Sequence, residues 1–110
     1  MNQNTEVTDY FLQEIRKRLG AHLEQVILFG SRARGDDVPD SDYDCLVILD
    51  EVSPAVKDAI DEVAGEVLYR FNVVFSTFPI SKRKHHERIY EPFLMNIRKE
   101  GITLWTSMKS

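Results

Sequence analysis

Two short, continuous apolar runs constrain the fold of this chain more than any other feature: "QVILFG" at residues 25–30 and "YDCLVIL" at residues 43–49. Runs of this length without polar alternation are typical of strands that are buried on both faces. The segment between them is rich in Gly, Asp, Pro and Ser, which predicts a loop, with a first helical turn that begins at Ser31. Buried strands need helices to cover them, so the rest of the chain must supply helical layers.

Two longer segments show the four-residue spacing of amphipathic helices. The first covers residues 7–19 and has Thr5 or Thr8 available as an N-cap, and the second begins after the Ser53 cap and runs to about Tyr69. Their apolar positions are Val7, Phe11, Ile15 and Leu19 in the first segment and Val56, Ile60, Val63 and Val67 in the second.

The C-terminal part predicts two more strands and a divided helix. "FNVVFSTF", residues 71–78, is rich in β-branched and aromatic residues and reads as a third strand that Pro79 closes. A basic stretch is helical in two pieces around Pro92, and "ITLW", residues 102–105, makes a short last strand. The order α, β, loop, β, α, β, α, β predicts an α/β fold with a mixed sheet and helices packed on it.

Length and composition bound the function. The 110 residues predict one domain, residues 1–110, with no room for a separate substrate-binding domain. The formal charge of -4 argues against a general nucleic-acid surface. A single cysteine, Cys45, excludes an intrachain disulfide, and no stretch approaches the roughly 20 apolar residues of a membrane span. We therefore expect a cytoplasmic protein that does not bind membranes.

The run "KRKHHER", residues 82–88, is the most basic segment of the chain. It is either the solvated face of a helix or a patch for RNA, for a protein partner or for a triphosphate. His85 and His86 are adjacent, so on a helix they point about 100° apart and do not jointly grip one ion. We assign no metal site there.

A pair of carboxylates stands at the entrance to the second predicted strand. In an extended strand the side chains of residues i and i+2 point to the same face, so Asp42 and Asp44 lie side by side. Like charges at this distance repel unless a cation lies between them, and Mg²⁺ prefers carboxylate and phosphate oxygens. The pair is either a turn-forming element of a surface loop or a Mg²⁺ site.

The end of the first predicted strand could hold the phosphates that such a metal accompanies. Gly30 allows another group to approach the backbone closely, and the Ser31 hydroxyl and the amides at a helix start could hold phosphate oxygens. Arg32 and Arg34 add positive charge beside them. We therefore treat Gly30, Ser31, Arg32 and Arg34 as candidate nucleotide-binding residues.

The spacing of these residues resembles a known signature. Gly30-Ser31 ends one strand, ten residues intervene, and Asp42-Tyr43-Asp44 opens the next. This pattern, with "GSRARG" and "SDYD", is similar to the G-S-x10-D-x-D signature of the minimal nucleotidyltransferases of the DNA polymerase beta superfamily. The resemblance covers most of the chain, and the closing "PFLMNIRKEGITLW" also looks like the end of this family's fold.

The resemblance implies an activity and a partner. Members of this kind bind ATP as substrate through the residues that match Gly30 and Ser31, with Mg²⁺ held by those that match Asp42 and Asp44. Chains of this size resemble antitoxins paired with a HEPN ribonuclease toxin, and some transfer AMP to a tyrosine of that toxin. A nucleic acid is then expected only through the toxin.

One position departs from the family pattern. Active members carry a third carboxylate on the next central strand, and in "RFNVVFSTF" the matching position is Asn72, which is neutral and a weak base. No Asp or Glu occurs from Val67 to Arg83, and Ser76, four residues from Asn72, is no base either. Asp42, Asp44 and Asn72 are thus the candidate catalytic residues, with the efficiency of transfer in doubt.

Three functions remain open. The first is a Mg²⁺-dependent protein adenylyltransferase that neutralises a HEPN toxin. The second is a non-catalytic antitoxin that neutralises its toxin by binding. The third is the catalytic core of a small-molecule adenylyltransferase, which the lack of a substrate domain disfavours.

Overall fold

A computed structural model describes residues 3–35 and 41–107 of the chain. The loop between the first two strands therefore lies in part, at residues 36–40, outside the described residues. The helices are α1 (Gln3–Leu19), α2 (Ser31–Arg34), α3 (Pro54–Phe71), α4 (Lys82–Glu87) and α5 (Pro92–Glu100), and the strands are β1 (Leu23–Phe29), β2 (Tyr43–Leu49), β3 (Phe75–Ser81) and β4 (Ile102–Thr106). Among the described helices, none has both the length and the apolar character needed to cross a bilayer.

The four strands form one mixed sheet in the order β3-β2-β1-β4. β1 runs antiparallel to both β2 and β4, whereas β2 and β3 are parallel. The parallel pair is joined through α3, because parallel neighbours need a crossover connection. The predicted α/β fold with a mixed sheet is confirmed.

The larger core lies on the sheet face that α1 and α3 cover. The apolar positions predicted for both helices are all buried there, since each set of four lies along one helical stripe. From β2, alternate side chains enter this core: Tyr43, Cys45, Val47 and Leu49. Cys45 is fully buried in this core, and burial raises the pKa of its thiol, which stays protonated.

The opposite sheet face carries a smaller cluster. Leu46 and Ile48 of β2 pack there with Leu94 and Ile97 of α5. Strand alternation places Asp44 on this same face, two residues before Leu46. The paired carboxylates therefore lie beside the thinner of the two apolar layers.

Several element boundaries differ from those predicted. α1 begins at Gln3, so Thr5 and Thr8 lie inside the helix, where the Thr8 hydroxyl donates to the Thr5 carbonyl oxygen at 3.2 Å. β3 begins at Phe75 and continues through Pro79 to Ser81. Pro79 does not close the strand, because β3 is an edge strand and a proline there sacrifices no inner hydrogen bond.

Candidate active site

The two aspartates stand at the start of β2. Asp42 is exposed and directly precedes the strand, and Asp44 is its second residue and is partly buried. Asp44 is in register with Phe29 at the end of β1 and with Ser76 of β3. Asp44 therefore lies at the end of the sheet where β1 stops and β2 and β3 begin.

The pKa of Asp44 reflects both its burial and its neighbour Asp42. The pKa of Asp44 is raised from its usual value, first by desolvation and then by the charge of Asp42. A partly desolvated carboxylate next to a second one is poised to bind a cation, which would relieve both effects. This chemistry fits Mg²⁺, with Asp42 and Asp44 as the residues that would hold it.

Gly30 forms the other wall of the site. Its φ of 79° and ψ of −159° lie in a region that essentially only glycine adopts. A Cβ at this position would lie 2.5 Å from Oδ2 of Asp44, so the absence of a side chain is what lets the carboxylate lie against the turn. The prediction that Gly30 permits a close approach to the backbone is confirmed, and the approaching group is Asp44.

The short helix α2 begins at Ser31, as predicted, and Gly30 is its N-cap residue. The Gly30 carbonyl oxygen accepts from the amides of Ala33 and Arg34, both at 3.1 Å. Ser31 therefore opens the helix directly after the residue that lies against the Asp44 carboxylate. Gly30 and Asp44 thus lie against each other, with Ser31 next to Gly30 and with Asp42 acting on Asp44 through its charge.

The two arginines of α2 point to protein acceptors. Arg34 donates to a carboxylate oxygen of Glu100 at 3.2 Å and so ties α2 to the end of α5. Arg32 donates from Nε and Nη2 to the Ser41 carbonyl oxygen at 3.1 and 2.8 Å. Its guanidinium carbon also lies 4.2 Å from the ring centroid of Tyr43.

Tyr43, the residue between the aspartates, has a part in the site that sequence reasoning missed. Its ring is 1% exposed and stacks on Phe75 of β3 at 4.9 Å, and Phe75 in turn stacks on Phe11 of α1 at 4.3 Å. Strand alternation turns Tyr43 into the core while its two neighbours face the other way. An aromatic residue inside a D-x-D pair was the available signal for this anchor.

The predicted position of Asn72 on the third strand is wrong. Asn72 is the C-cap of α3 in the left-handed region, with φ 55° and ψ 41°. Its backbone N–H donates to the Leu68 carbonyl oxygen at 3.0 Å. Asparagine tolerates this conformation better than most residues, so the helix ends there and β3 begins three residues later. The residue of β3 in register with Asp44 is Ser76.

No third acidic ligand joins the pair in the described residues. Over residues 3–35 and 41–107, no group of three or more His, Cys, Asp or Glu side chains is arranged to hold a metal.

The basic run forms α4, where Lys82 lies 3.8 Å from Glu24 and Arg83 lies 3.8 Å from Glu87. Desolvation, followed by the charges of His86 and Arg98, lowers the pKa of His85.

Comparison with known proteins places this chain in a family. The model of the nucleotidyltransferase domain matches residues 9–99. Two relatives from Methanocaldococcus jannaschii both carry the provisional name protein adenylyltransferase. One is 27% identical, over 96% of this chain and all of its own length, and the other is 35% identical, over 88% of this chain and 94% of its own length.

Solved structures share the fold at lower identity. A chain from a toxin–antitoxin complex with AMP-PNP superposes with a TM-score of 0.61 at 16% identity, covering 91% of this chain and 73% of that one. A chain from the complex of a tri-AMPylated Shewanella oneidensis HEPN toxin with its MNT antitoxin gives a TM-score of 0.58 at 14% identity, covering 96% and 74%. The resemblance drawn from the sequence is confirmed: this chain belongs to the nucleotidyltransferase domain family.

Proposed function

We propose that this protein is a Mg²⁺-dependent adenylyltransferase that moves AMP from ATP to a tyrosine hydroxyl of a HEPN-type ribonuclease toxin and so acts as its antitoxin. The observation that carries the proposal is the close approach of Asp44 to Gly30, because it brings the turn proposed to bind phosphate against the carboxylate pair proposed to bind the metal. The relatives named as protein adenylyltransferases and the fold shared with chains of toxin–antitoxin complexes support the same assignment.

Each part of the site has a role in this reaction. The turn at Gly30 and the hydroxyl of Ser31 hold the β- and γ-phosphates, which leaves the α-phosphate beside Asp42 and Asp44. The two aspartates would hold Mg²⁺, which, when bound, neutralises charge on the phosphates and on the leaving group. The cytoplasm supplies both ATP and an intracellular toxin as partner.

The transfer is an in-line substitution at the α-phosphorus. A bond forms from the tyrosine oxygen to the α-phosphorus, and the bond from the α-phosphorus to the bridging oxygen breaks, so that pyrophosphate leaves. The phenolic proton passes to water, because β3 offers Ser76 rather than a carboxylate beside Asp44. A positioned general base contributes roughly 10² to 10⁴-fold, so we expect transfer to be slow for this family.

The experiment is mass spectrometry, of the intact protein and of its peptides, on a candidate HEPN-type toxin after incubation with this protein, ATP and Mg²⁺. We expect an AMP adduct on a tyrosine with the wild-type protein, and none with a variant that combines Asp42→Asn and Asp44→Asn. An adduct that persists with the double variant would remove the aspartates from the mechanism.

Neutralisation by binding alone is the second candidate function, and the position of Ser76 beside Asp44 favours it. Toxin activity in cells separates the two functions. If the double variant still silences the toxin, binding is the main activity. If toxicity returns with the double variant, transfer is required.

A further inference from the structure

Arg32 connects the two halves of the candidate site. It follows Ser31 in α2, and it donates two hydrogen bonds, at 2.8 and 3.1 Å, to the carbonyl oxygen of Ser41, the residue directly before Asp42. A guanidinium has a planar fork of donors, so Nε and Nη2 can both reach one acceptor. The turn that carries Gly30 and Ser31 is thereby tied to the backbone that leads into the aspartate pair.

The same guanidinium also rests against the residue between the aspartates. Its carbon lies 4.2 Å from the Tyr43 ring centroid, within the range of a cation–π contact. The Tyr43 ring stacks on Phe75 at 4.9 Å with an interplanar angle of 11°, and Phe75 stacks on Phe11 at 4.3 Å and 7°. Arg32 therefore ends a column of stacked groups that begins in the core at α1.

This column holds the residue that lies between the two carboxylates. Asp42 and Asp44 flank Tyr43, so any shift of the Tyr43 backbone moves both of them together. Asp44 has its own close contact with Gly30, which precedes Arg32 by two residues. Arg32 thus belongs to the helix that follows Gly30 and also contacts Ser41 and Tyr43, the residues on either side of Asp42.

We infer that Arg32 is a positioning residue that holds the Asp42–Asp44 segment in the geometry needed for a metal–triphosphate complex, rather than a residue that contacts the triphosphate. The inference rests on the proposed function, because it concerns the metal and nucleotide of that same site. It differs from the expectation from the sequence that Arg32 binds the nucleotide, and the test below separates the two roles.

The two roles predict different consequences of substitution. Arg32→Lys keeps the positive charge but loses the planar fork and the flat surface that stacks on Tyr43. If charge on the phosphates is the role, lysine retains most of the function. If positioning is the role, lysine fails nearly as badly as Arg32→Gln.

The test measures metal and nucleotide binding separately on the full chain. Binding of Mn²⁺ to the protein without nucleotide is followed by electron paramagnetic resonance, and the Kd values of ATP and ADP are measured by calorimetry at saturating metal. We expect both Arg32 variants to weaken Mn²⁺ binding by about 10- to 100-fold, the usual effect of removing a group that orients metal ligands. The ratio of ADP to ATP affinity should stay as in the wild type.

A matched control lies in α1. The guanidinium of Arg16 stands 5.1 Å from the Trp105 ring centroid, so Arg16→Gln and Arg16→Lys remove a similar contact away from the site. These variants should leave Mn²⁺ binding unchanged. Thermal unfolding of all four variants shows whether each is folded, and if Arg32→Gln does not fold, Arg32→Lys carries the test.

Two results would overturn the inference. The first is Mn²⁺ binding that is unchanged in folded Arg32 variants, when the wild type binds both Mn²⁺ and ATP. The other is a loss of ATP affinity and of ATP-over-ADP preference at saturating metal in Arg32→Gln, with Arg32→Lys close to wild type. A wild-type protein that binds neither ligand would instead refute the proposed function, and the inference with it.

Discussion

At the scale of single residues, Asp44 combines two unfavourable features. It is partly desolvated, and it lies close enough to Asp42 for their charges to interact, and both effects raise its pKa above the usual value of 3.8. Gly30 leaves no space between its own backbone and the Asp44 carboxylate for a side chain. We therefore expect the Asp44 carboxylate to destabilise the metal-free fold, and this expectation can be tested without a substrate.

We predict that Asp44→Asn raises the thermal midpoint of the metal-free protein at pH 7. Folding raises the pKa of Asp44, so the folded state binds a proton at this carboxyl more tightly than the unfolded state does. Protonation of Asp44 therefore stabilises the fold, and this contribution is fully present below about pH 3.8. It is lost as the pH rises through the raised pKa of Asp44. Asparagine is neutral at every pH, whereas the wild-type Asp44 becomes neutral only as the pH falls. The stability advantage of Asp44→Asn should therefore shrink toward pH 3.8.

Differential scanning fluorimetry from pH 3.5 to 8 measures this difference, with the exposed helical residue Asp61 changed to Asn as the control. Added Mg²⁺ with ATP should stabilise the wild type but not Asp44→Asn. A variant less stable than the wild type at pH 7 without metal would contradict the prediction.

Gly30→Ala should impair both stability and binding. The backbone conformation at residue 30 costs a non-glycine residue about 1–3 kcal/mol, and the new Cβ would displace the Asp44 carboxylate. Gly35→Ala is the matched control, because Gly35 also has a positive φ, 80°, but a Cβ there meets nothing within 4 Å.

Chemical denaturation should show a loss of stability in both glycine variants, whereas calorimetry with ATP and Mg²⁺ should show lost binding in Gly30→Ala alone. Equal binding by the two variants would mean that the contact between residue 30 and Asp44 does not shape the site.

At the scale of elements, the register between β2 and β3 decides which residue stands beside Asp44. The pairing of Asp44 with Ser76 makes position 76 the place where a third carboxylate would complete the site. Position 72 is the end of α3 instead. The neighbouring strand therefore supplies a hydroxyl to this edge of the sheet.

Ser76→Asp should raise the rate of AMP transfer, toward the roughly 10² to 10⁴-fold that a positioned base contributes. Asn72→Asp, the matched substitution at the end of α3, should leave the rate unchanged. Single-turnover transfer to the toxin, followed by mass spectrometry, measures both. A faster Asn72→Asp with an unchanged Ser76→Asp would restore Asn72 as the third catalytic position.

Most elements could be predicted from the sequence, because their signals are local. β2 has the predicted bounds, Tyr43–Leu49, and both long helices bury the predicted apolar stripes. The end of α3 was missed because Asn72 lies in a run that also suits a strand, and its left-handed conformation depends on how the helix packs. The contact of Arg32 with Ser41 and Tyr43 is a tertiary contact across the loop, which no periodicity reveals.

At the scale of the whole molecule, the two faces of the sheet have different roles. α1 and α3 build the main core on one face, while the other face carries Asp44 and the smaller cluster under α5. Phe29, Phe78 and Phe93 contact one another there, and Phe78 and Phe93 remain partly exposed. Tyr43 packs in the main core and so anchors the segment that carries the two aspartates. On the opposite face, Asp42 is exposed and Asp44 is partly buried, as the proposed nucleotide site requires.

We propose that the Gly30–Ser31 turn and the Asp42–Asp44 pair form one site for ATP and Mg²⁺. Isothermal titration of the wild type with ATP, with and without Mg²⁺, tests it most directly, beside the double variant Asp42→Asn, Asp44→Asn. We predict saturable binding that Mg²⁺ strengthens in the wild type, and loss of the Mg²⁺ effect in the double variant. Absence of saturable binding at millimolar ATP, or an equal Mg²⁺ effect in both proteins, would contradict the claim.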